Sequence, residues 1–305
     1  MSHRRCRTQG RGGGTDRERR PTIATEVPDS VGTGSPPRGA TPPARAGSAG
    51  PFAARRYLAL LWFWTKRDFD ARYRRSALQA LWAILQPFFF VAVFVFVFGV
   101  IFKASGGDIP YLSYMLSGVI VLRIVSSAMS SNTCLSDNYN VISHSYFPRE
   151  VIPLSQVLGA TLDLGVTSVA LVIVAMVQHV PIHSTILWAP LVLVSALALA
   201  SAACVVVSTI QVFVRDLQFA MTFIVQGLFF ASPITYRPDQ LPHGLRWLNH
   251  VNPVSVDVEA LRSVALRGQL PNWPLFGTHL ALSIALLIAA VAHLRAVEHR
   301  IVDLA

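Results

Sequence analysis

The sequence predicts an all-α integral membrane protein. It should have six transmembrane helices, an N-terminal amphipathic surface helix, and short re-entrant helices between spans five and six. Three observations predict this. Of the 305 residues, 52% are hydrophobic and 14% charged, against about 25% charged in an ordinary soluble domain. Residues 76–102 and 268–294 each run 27 residues without a formal charge, and about 20 apolar residues cross a bilayer. The basic residues, finally, gather on one side of the spans.

Residues 1–51 read as a disordered, cytoplasmic, Arg/Gly/Pro-rich tail. The first 50 residues hold nine glycines and six prolines and almost no large apolar side chain, too little to offset the entropy of ordering. They contain no apolar core of the signal-peptide kind. The net charge of +10 arises largely here: residues 1–56 carry 11 arginines against 4 acids. An Arg-rich tail beside a membrane suits anionic headgroups, so membrane lipids are the expected partners and nucleic acid is not. In residues 52–75, Leu58, Trp62, Phe69 and Tyr73 share a helical face, with Lys66, Arg67 and Arg74 opposite. That is the pattern of an interfacial helix.

A six-span domain, 76–294, follows. Spans are expected at 76–102, 111–131, 150–177, 186–212, 217–236 and 268–294, then a cytoplasmic C-terminal tail, 295–305. Within residues 237–267, the stretch 252–266 is apolar but holds Asp257, Glu259 and Arg262. It is too short and too charged to span, and suits re-entrant helices surrounded by protein. With both termini inside, 20 Lys or Arg lie on the cytoplasmic side. Five lie outside: Lys103, Arg237, Arg246, Arg262 and Arg267. This is the bias expected of a multi-pass protein of the cytoplasmic membrane. Trp82, Trp188 and Trp273 fall near span ends, as aromatic belts do.

Several chemistries are absent. There is no GxxxxGK[ST] phosphate loop, and the only lysines are Lys66 and Lys103, so ATP hydrolysis is not expected in this chain. HExxH, GxSxG and a dinucleotide fingerprint are missing too. Cys6, Cys134 and Cys204 form no CxxC pair, which argues against a disulfide framework or a zinc site. His179 and His183 are separated by Pro181 and make a poor metal pair. No catalytic residue, metal or cofactor is expected here. Arg123 and Asp163 lie within spans, where a charge costs roughly 2.5–3.5 kcal/mol on insertion scales. They should avoid lipid by facing a polar path, a neighbouring helix or each other. Two charged turns, Phe147-Pro148-Arg149-Glu150 and Arg215-Asp216, stand before spans three and five.

Four stretches carry a family resemblance: RDFDARYRRSALQALWAILQPF (67–88), FPREVIPLS (147–155), RDLQFAMTFIVQGLFFASPITY (215–236) and NPVSVDVEALRSVALRG (252–268). In order and spacing they resemble the membrane permease subunit of polysaccharide, O-antigen and teichoic-acid ABC exporters, the type-2 ABC transporter permease family. The likeness covers roughly residues 55–300. It implies a homodimer moving a lipid-linked glycan along its interface, driven by two copies of a separate ATPase subunit that bind ATP and Mg. By the same resemblance, Arg67, Asp68, Arg72, Tyr73, Phe147, Pro148, Arg149, Glu150, Arg215 and Asp216 would couple to the ATPase. Asp163 matches an acidic position of span three. Gln79 stands where the family often has glycine.

A lipid-linked glycan needs aromatic faces for its sugars and an apolar opening for its lipid. Phe88, Phe89, Tyr111, Tyr114, Phe229, Phe230 and Tyr236 lie at span ends and are candidates for a channel lining; packing and lipid contact explain each of them equally well. Two alternatives remain at this level. One is an ABC permease for a drug or small lipid. The other is a multi-span membrane glycosyltransferase, which would need acidic or His residues converging at one face. Asp257 and Glu259, two residues apart, diverge on a helix and weaken the second.

Overall fold

Every described residue is helix, turn or connecting loop, in line with a chain whose apolar runs are long and whose breaks are short. The computed structural model describes residues 51–73, 77–144, 148–181 and 183–303, all within the compact unit Ala49–Ala305. Expectations for the 1–50 tail, for Phe147, and for the side chains of Arg72, Tyr73, Gln79 and Asp163 lie outside the described residues.

The helices are α1 (Pro51–Tyr73), α2 (Ala77–Phe94, continued as a π-helical stretch Val95–Ile101), α3 (Tyr111–Ser130), the short α4 (Cys134–Asp137) and α5 (Tyr139–His144), and α6 (Val151–Val177). Then come α7 (Ala189–Phe213), α8 (Leu217–Ala231), the short α9 (Leu248–Val251), α10 (Pro253–Arg262) and α11 (Trp273–Asp303). Among the described residues, three segments are long and apolar enough to cross a membrane: Tyr111–Ser130, Ser184–Phe213 and Trp273–Glu298. Shorter apolar stretches are Phe88–Ile101, Val151–Thr161, Thr167–Val177 and Leu217–Ala231.

Largely buried, α3 occupies the centre. Met115, Leu116, Val119, Ile120 and Ile124 pack in one core with side chains of α6, α7, α8 and α10. The small residues Ser195, Ala196, Ala200, Ala202 and Cys204 on α7 are buried and let neighbouring backbones approach closely. A second core sits at the α1 end of the bundle, where Trp64 meets Leu135, Ile142, Val151, Ile152, Val205 and Leu294. Cys134 is free and buried there, and Cys204 is free and buried in the first core, its thiol donating to the Pro153 carbonyl at 3.5 Å.

Three elements differ from the sequence expectation. In α1, Leu58 and Trp62 are 62% and 66% exposed, while Trp64 is buried and Tyr57, Leu60 and Leu61 pack on the bundle. The helix therefore has two apolar faces, one on protein and one outward. The fifth apolar run does not stay helical to Tyr236. α8 stops at Ala231, and Ser232 turns extended (φ −101°, ψ 145°), because the residue before Pro233 disfavours the helical region. The C-terminal residues are no separate tail through Asp303: no glycine or proline follows Leu294, so α11 continues to Asp303. It starts only at Trp273, after Gly268 in the left-handed region (φ 68°).

Candidate functional site

Two polar assemblies stand out from the apolar bundle, one at each end. At the α1 end, Arg67 donates from Nη2 to Asp68 Oδ1 at 2.9 Å and to Asn138 Oδ1 at 2.9 Å. Its guanidinium lies 3.8 Å from the Trp64 ring centroid. Asp68 Oδ2 accepts from Gln156 Nε2 at 2.5 Å. One carboxylate thus ties α1 to α6, and one guanidinium ties α1 to the α4–α5 connection. Arg67 is half-buried rather than turned wholly to water. Its planar head stacks on an indole, which an ammonium does less well. Ser136 donates to Gln211 at 2.8 Å, adding α7 to the assembly.

The turn that opens α6 is held by α11. Arg149 donates to the Glu298 carbonyl at 2.8 Å and pairs with its carboxylate at 3.0 Å. Arg295 Nε donates to Glu150 at 3.0 Å, and its Nη2 forms a second, shorter contact with the same oxygen. Glu150 is buried (side chain 3% exposed) and Arg295 is not (62%). Burial, and after it the same carboxylate, pushes the Tyr57 phenol upward. The asymmetry gives a prediction. Arg295→Gln strands a buried carboxylate and should cost about 1–3 kcal/mol. Glu150→Gln leaves an arginine that water solvates and should cost less. Thermal unfolding of the two variants in detergent checks the order; equal losses would mean the pair contributes through packing alone. Arg215 and Asp216, in the α7–α8 turn at this same end, are exposed, as is Pro148.

At the opposite end, the broken stretch after α8 leaves backbone carbonyls that must find partners. Side chains supply them. Tyr111 donates its hydroxyl to the Thr235 carbonyl at 2.9 Å and Tyr114 to that of Tyr236 at 2.8 Å. Asn252 Nδ2 donates to the Ala231 carbonyl (3.3 Å) and Ser232 Oγ (3.0 Å). Its Oδ1 accepts from the Val254 amide, capping α10, whose first residue is Pro253. Arg262 completes the set. Its Nη1 donates to the Pro233 carbonyl at 2.6 Å, its Nη2 to those of Tyr114 (3.2 Å) and Ile234 (3.4 Å), and its Nε to Ser117 Oγ at 3.3 Å. The guanidinium lies 3.5 Å from the Tyr114 ring centroid and pairs with Glu259 at 3.5 Å. A Cβ on Gly118 would stand 3.0 Å from Arg262 Nη2, so glycine there admits the guanidinium.

Arg262, counted only as an outer-side charge in the orientation reading, is fully buried. Charge counting missed it. The available signal was an arginine closing the apolar face formed with Val254, Val258 and Leu261. Of the channel candidates, Tyr114 is fully buried and Phe229 nearly so. Phe229 packs edge-on to Phe90, Phe94 and Phe230 at 4.9–5.5 Å. Both are packed inside the bundle. Tyr111 and Tyr236 are half-buried, while Phe88, Phe89 and Phe230 are exposed at 37%, 69% and 60%. Trp188 and Trp273 meet edge-on at 5.0 Å, uniting two of the expected belt residues. Arg123 is half-buried and lines a polar cavity between α2, α3, α6 and α8.

A bundle of long apolar helices, with a charged brace at one end and a side-chain-satisfied break at the other, defines a polytopic membrane protein. The family follows from comparison: residues 59–266 match the ABC-2 type transporter model, and the chain belongs to that family of transporter permease subunits. It is 27% identical over 209 residues to the O-antigen export system permease protein RfbA of Klebsiella pneumoniae, covering 68% of this chain and 80% of the relative. It is 25% identical over 240 residues to the protein of the same name from Myxococcus xanthus, covering 77% and 90%.

Proposed function

We propose that this chain is the permease subunit of an ABC exporter that moves a lipid-linked polysaccharide or teichoic-acid-like polymer across the cytoplasmic membrane. One observation carries the reading: similarity to O-antigen export permeases runs through 80–90% of their length. In this reading α2, α3, α6, α7, α8 and α11 are the six spans, with α8 completed by the extended residues after it. α9 and α10 are the re-entrant helices, and both termini are cytoplasmic. Two copies form a homodimer with the glycan path at their interface. Two copies of an ATPase subunit bind ATP and Mg beneath them.

The brace at the α1 end suits the coupling role. Arg67 and Asp68 tie α1 to α6, and Arg149 and Glu150 tie the start of α6 to α11, so a push on either reaches the spans. Arg215 and Asp216, exposed in the adjacent turn, offer a further contact for the ATPase. Arg72, Tyr73 and Phe147 belong to the same proposed surface by position in the chain. Among the aromatics, Phe88, Phe89 and Phe230 remain free to meet sugar. Phe89→Ala and Phe230→Ala should reduce export several-fold with normal assembly, whereas Tyr114→Ala should lower assembly itself. Export assays beside size-exclusion profiles separate the two; normal export in both phenylalanine variants would remove those residues from the path.

Depletion of the protein tests the function. Finished lipid-linked polymer should accumulate on the cytoplasmic side while surface polymer disappears. Normal glycan on both sides would sink the polysaccharide reading.

A further inference from the structure

Between α9, α10, the start of α11 and the stretch after α8 lies a cavity of about 150 Å³, a size that admits one six-membered ring. On α10, Ser255, Val256, Glu259 and Ala260 line it, one face of the helix at i, i+1, i+4 and i+5. Pro233, Leu275 and Phe276 add apolar walls. His250 and Asn272 also line it and are exposed, so the cavity opens at the surface. Polar atoms without partners surround this space. Ser255 is 2% exposed, and its hydroxyl makes no hydrogen bond among the described residues. The buried Oδ1 of Asn249, on α9, is unpartnered in the same way. Among the same residues, the buried Glu259 Oε2 makes no hydrogen bond and keeps only the 3.5 Å pair with Arg262. Buried polar groups are otherwise nearly always satisfied. Three such atoms around one cavity call for a ligand that brings donors.

The charges narrow the ligand. Glu259 also pairs with Arg267, so this carboxylate already stands between two arginines, and a further cation would be repelled. An anion would meet the Asn249 and Glu259 oxygens, which only accept hydrogen bonds. A neutral compound with several hydroxyls meets neither objection. Its O–H groups donate to these oxygens and exchange a hydrogen bond with Ser255, while its C–H faces lie against Phe276, Leu275 and Pro233. A few placed polar groups in an otherwise apolar pocket fix one orientation of such a ring. We propose that this cavity binds a single pyranose sugar ring, with Asn249, Ser255 and Glu259 as its hydrogen-bonding partners. The pocket rests on the export reading only for the sugar's origin, a unit of the exported polymer; a free monosaccharide offers the same chemistry.

The test uses the full chain in phosphatidylcholine nanodiscs, because glycoside detergents carry sugars of their own, with binding read by saturation-transfer NMR. The probes are the methyl α-pyranosides of glucose, mannose and galactose. Tetrahydropyran, which has the ring but no hydroxyl groups, is the control. At least one pyranoside should bind with a millimolar Kd, and tetrahydropyran should not bind. Asn249→Ala/Ser255→Ala removes two partners, leaves the Glu259 pairs intact and should weaken binding about tenfold, the scale of two neutral hydrogen bonds. Ala260→Leu fills the cavity, removes no polar group and should abolish binding. Size exclusion checks the assembly of each variant. Asn249→Ala alone alters only a half-buried side chain and should weaken binding several-fold even if the other variants fail to assemble. Maltose, mannobiose and melibiose carry the same three rings at a non-reducing end. Binding as tight as the monosaccharide's supports the site with a polymer end as its ligand; binding of the monosaccharide alone supports it with a free sugar. Three results overturn the proposal: no binding by any of the three pyranosides, which would leave the cavity to water; tetrahydropyran binding as well as the sugars; or unchanged binding in the variants, which would put the sugar elsewhere. The readout needs neither ATPase nor polymer. A chain that binds sugar but exports no glycan therefore sinks the export reading alone, and one that exports without binding sugar sinks the pocket alone.

Discussion

Arg262→Met is expected to yield little or no monodisperse protein. The guanidinium supplies the donors for the carbonyls of Tyr114, Pro233 and Ile234, and its site is fully buried. The Tyr114 carbonyl keeps the Ser117 hydroxyl at 2.7 Å, while Pro233 keeps a long bond from the Tyr114 hydroxyl at 3.4 Å, so the loss falls mainly on the Pro233 and Ile234 carbonyls, at about 1–3 kcal/mol for each buried group left unsatisfied. Methionine fills the volume but donates nothing, so the loss is a large share of the usual 5–15 kcal/mol margin of a fold. Lysine should rescue poorly, because a point charge cannot serve carbonyls arranged around a planar fork. Gly118→Val tests the same clamp from α3 by driving a side chain into the guanidinium and Ile234. Yield by size exclusion and thermal unfolding in detergent are the measurements; near-normal values for Arg262→Met would show that the break after α8 is held by other contacts.

The second large effect is expected at Asp68. Its carboxylate accepts from Arg67 and Gln156 at once, joining α1 to α6. Asp68→Ala removes both bonds and leaves Gln156 without this acceptor. The rest of the bundle has its own core around α3, so it should assemble. The expected outcome is faster hydrogen exchange across residues 57–70 and ATP-driven export reduced tenfold or more, with ATPase subunits still bound. Unaltered export with a loosened α1 would show that α1 does not carry the coupling.

The helical, membrane-embedded fold was legible because charge-free runs leave few other structures possible. Burial within the membrane was not. Leu58 and Trp64 are both apolar, yet one faces outward and the other inward. Hydropathy cannot separate lipid-facing from protein-facing side chains when both environments are apolar. The residues proposed for coupling were read from family motifs, and the structure adds partners to Arg67, Asp68, Arg149 and Glu150: Asn138, Gln156, Arg295 and Glu298 carry no motif and are met only in three dimensions. Arg262 escaped for the opposite reason. Its charge entered only the count of outer-side basic residues, while the need it meets is created by Ser232 and Pro233, thirty residues earlier, and by Gly118 on another helix. Tyr114 and Phe229 drew attention as span-end aromatics, but those positions also turn inward where the chain breaks and must be braced.

The most direct measurement of the central claim is transport in proteoliposomes holding this chain and its ATPase subunit, loaded on the ATPase side with lipid-linked polymer. Polymer reaching the far leaflet is read with a non-penetrating lectin. The account predicts ATP-dependent appearance there, abolished when this chain is omitted or when the ATPase cannot hydrolyse ATP. ATP-dependent appearance without this chain, or none with the complete complex, would contradict it.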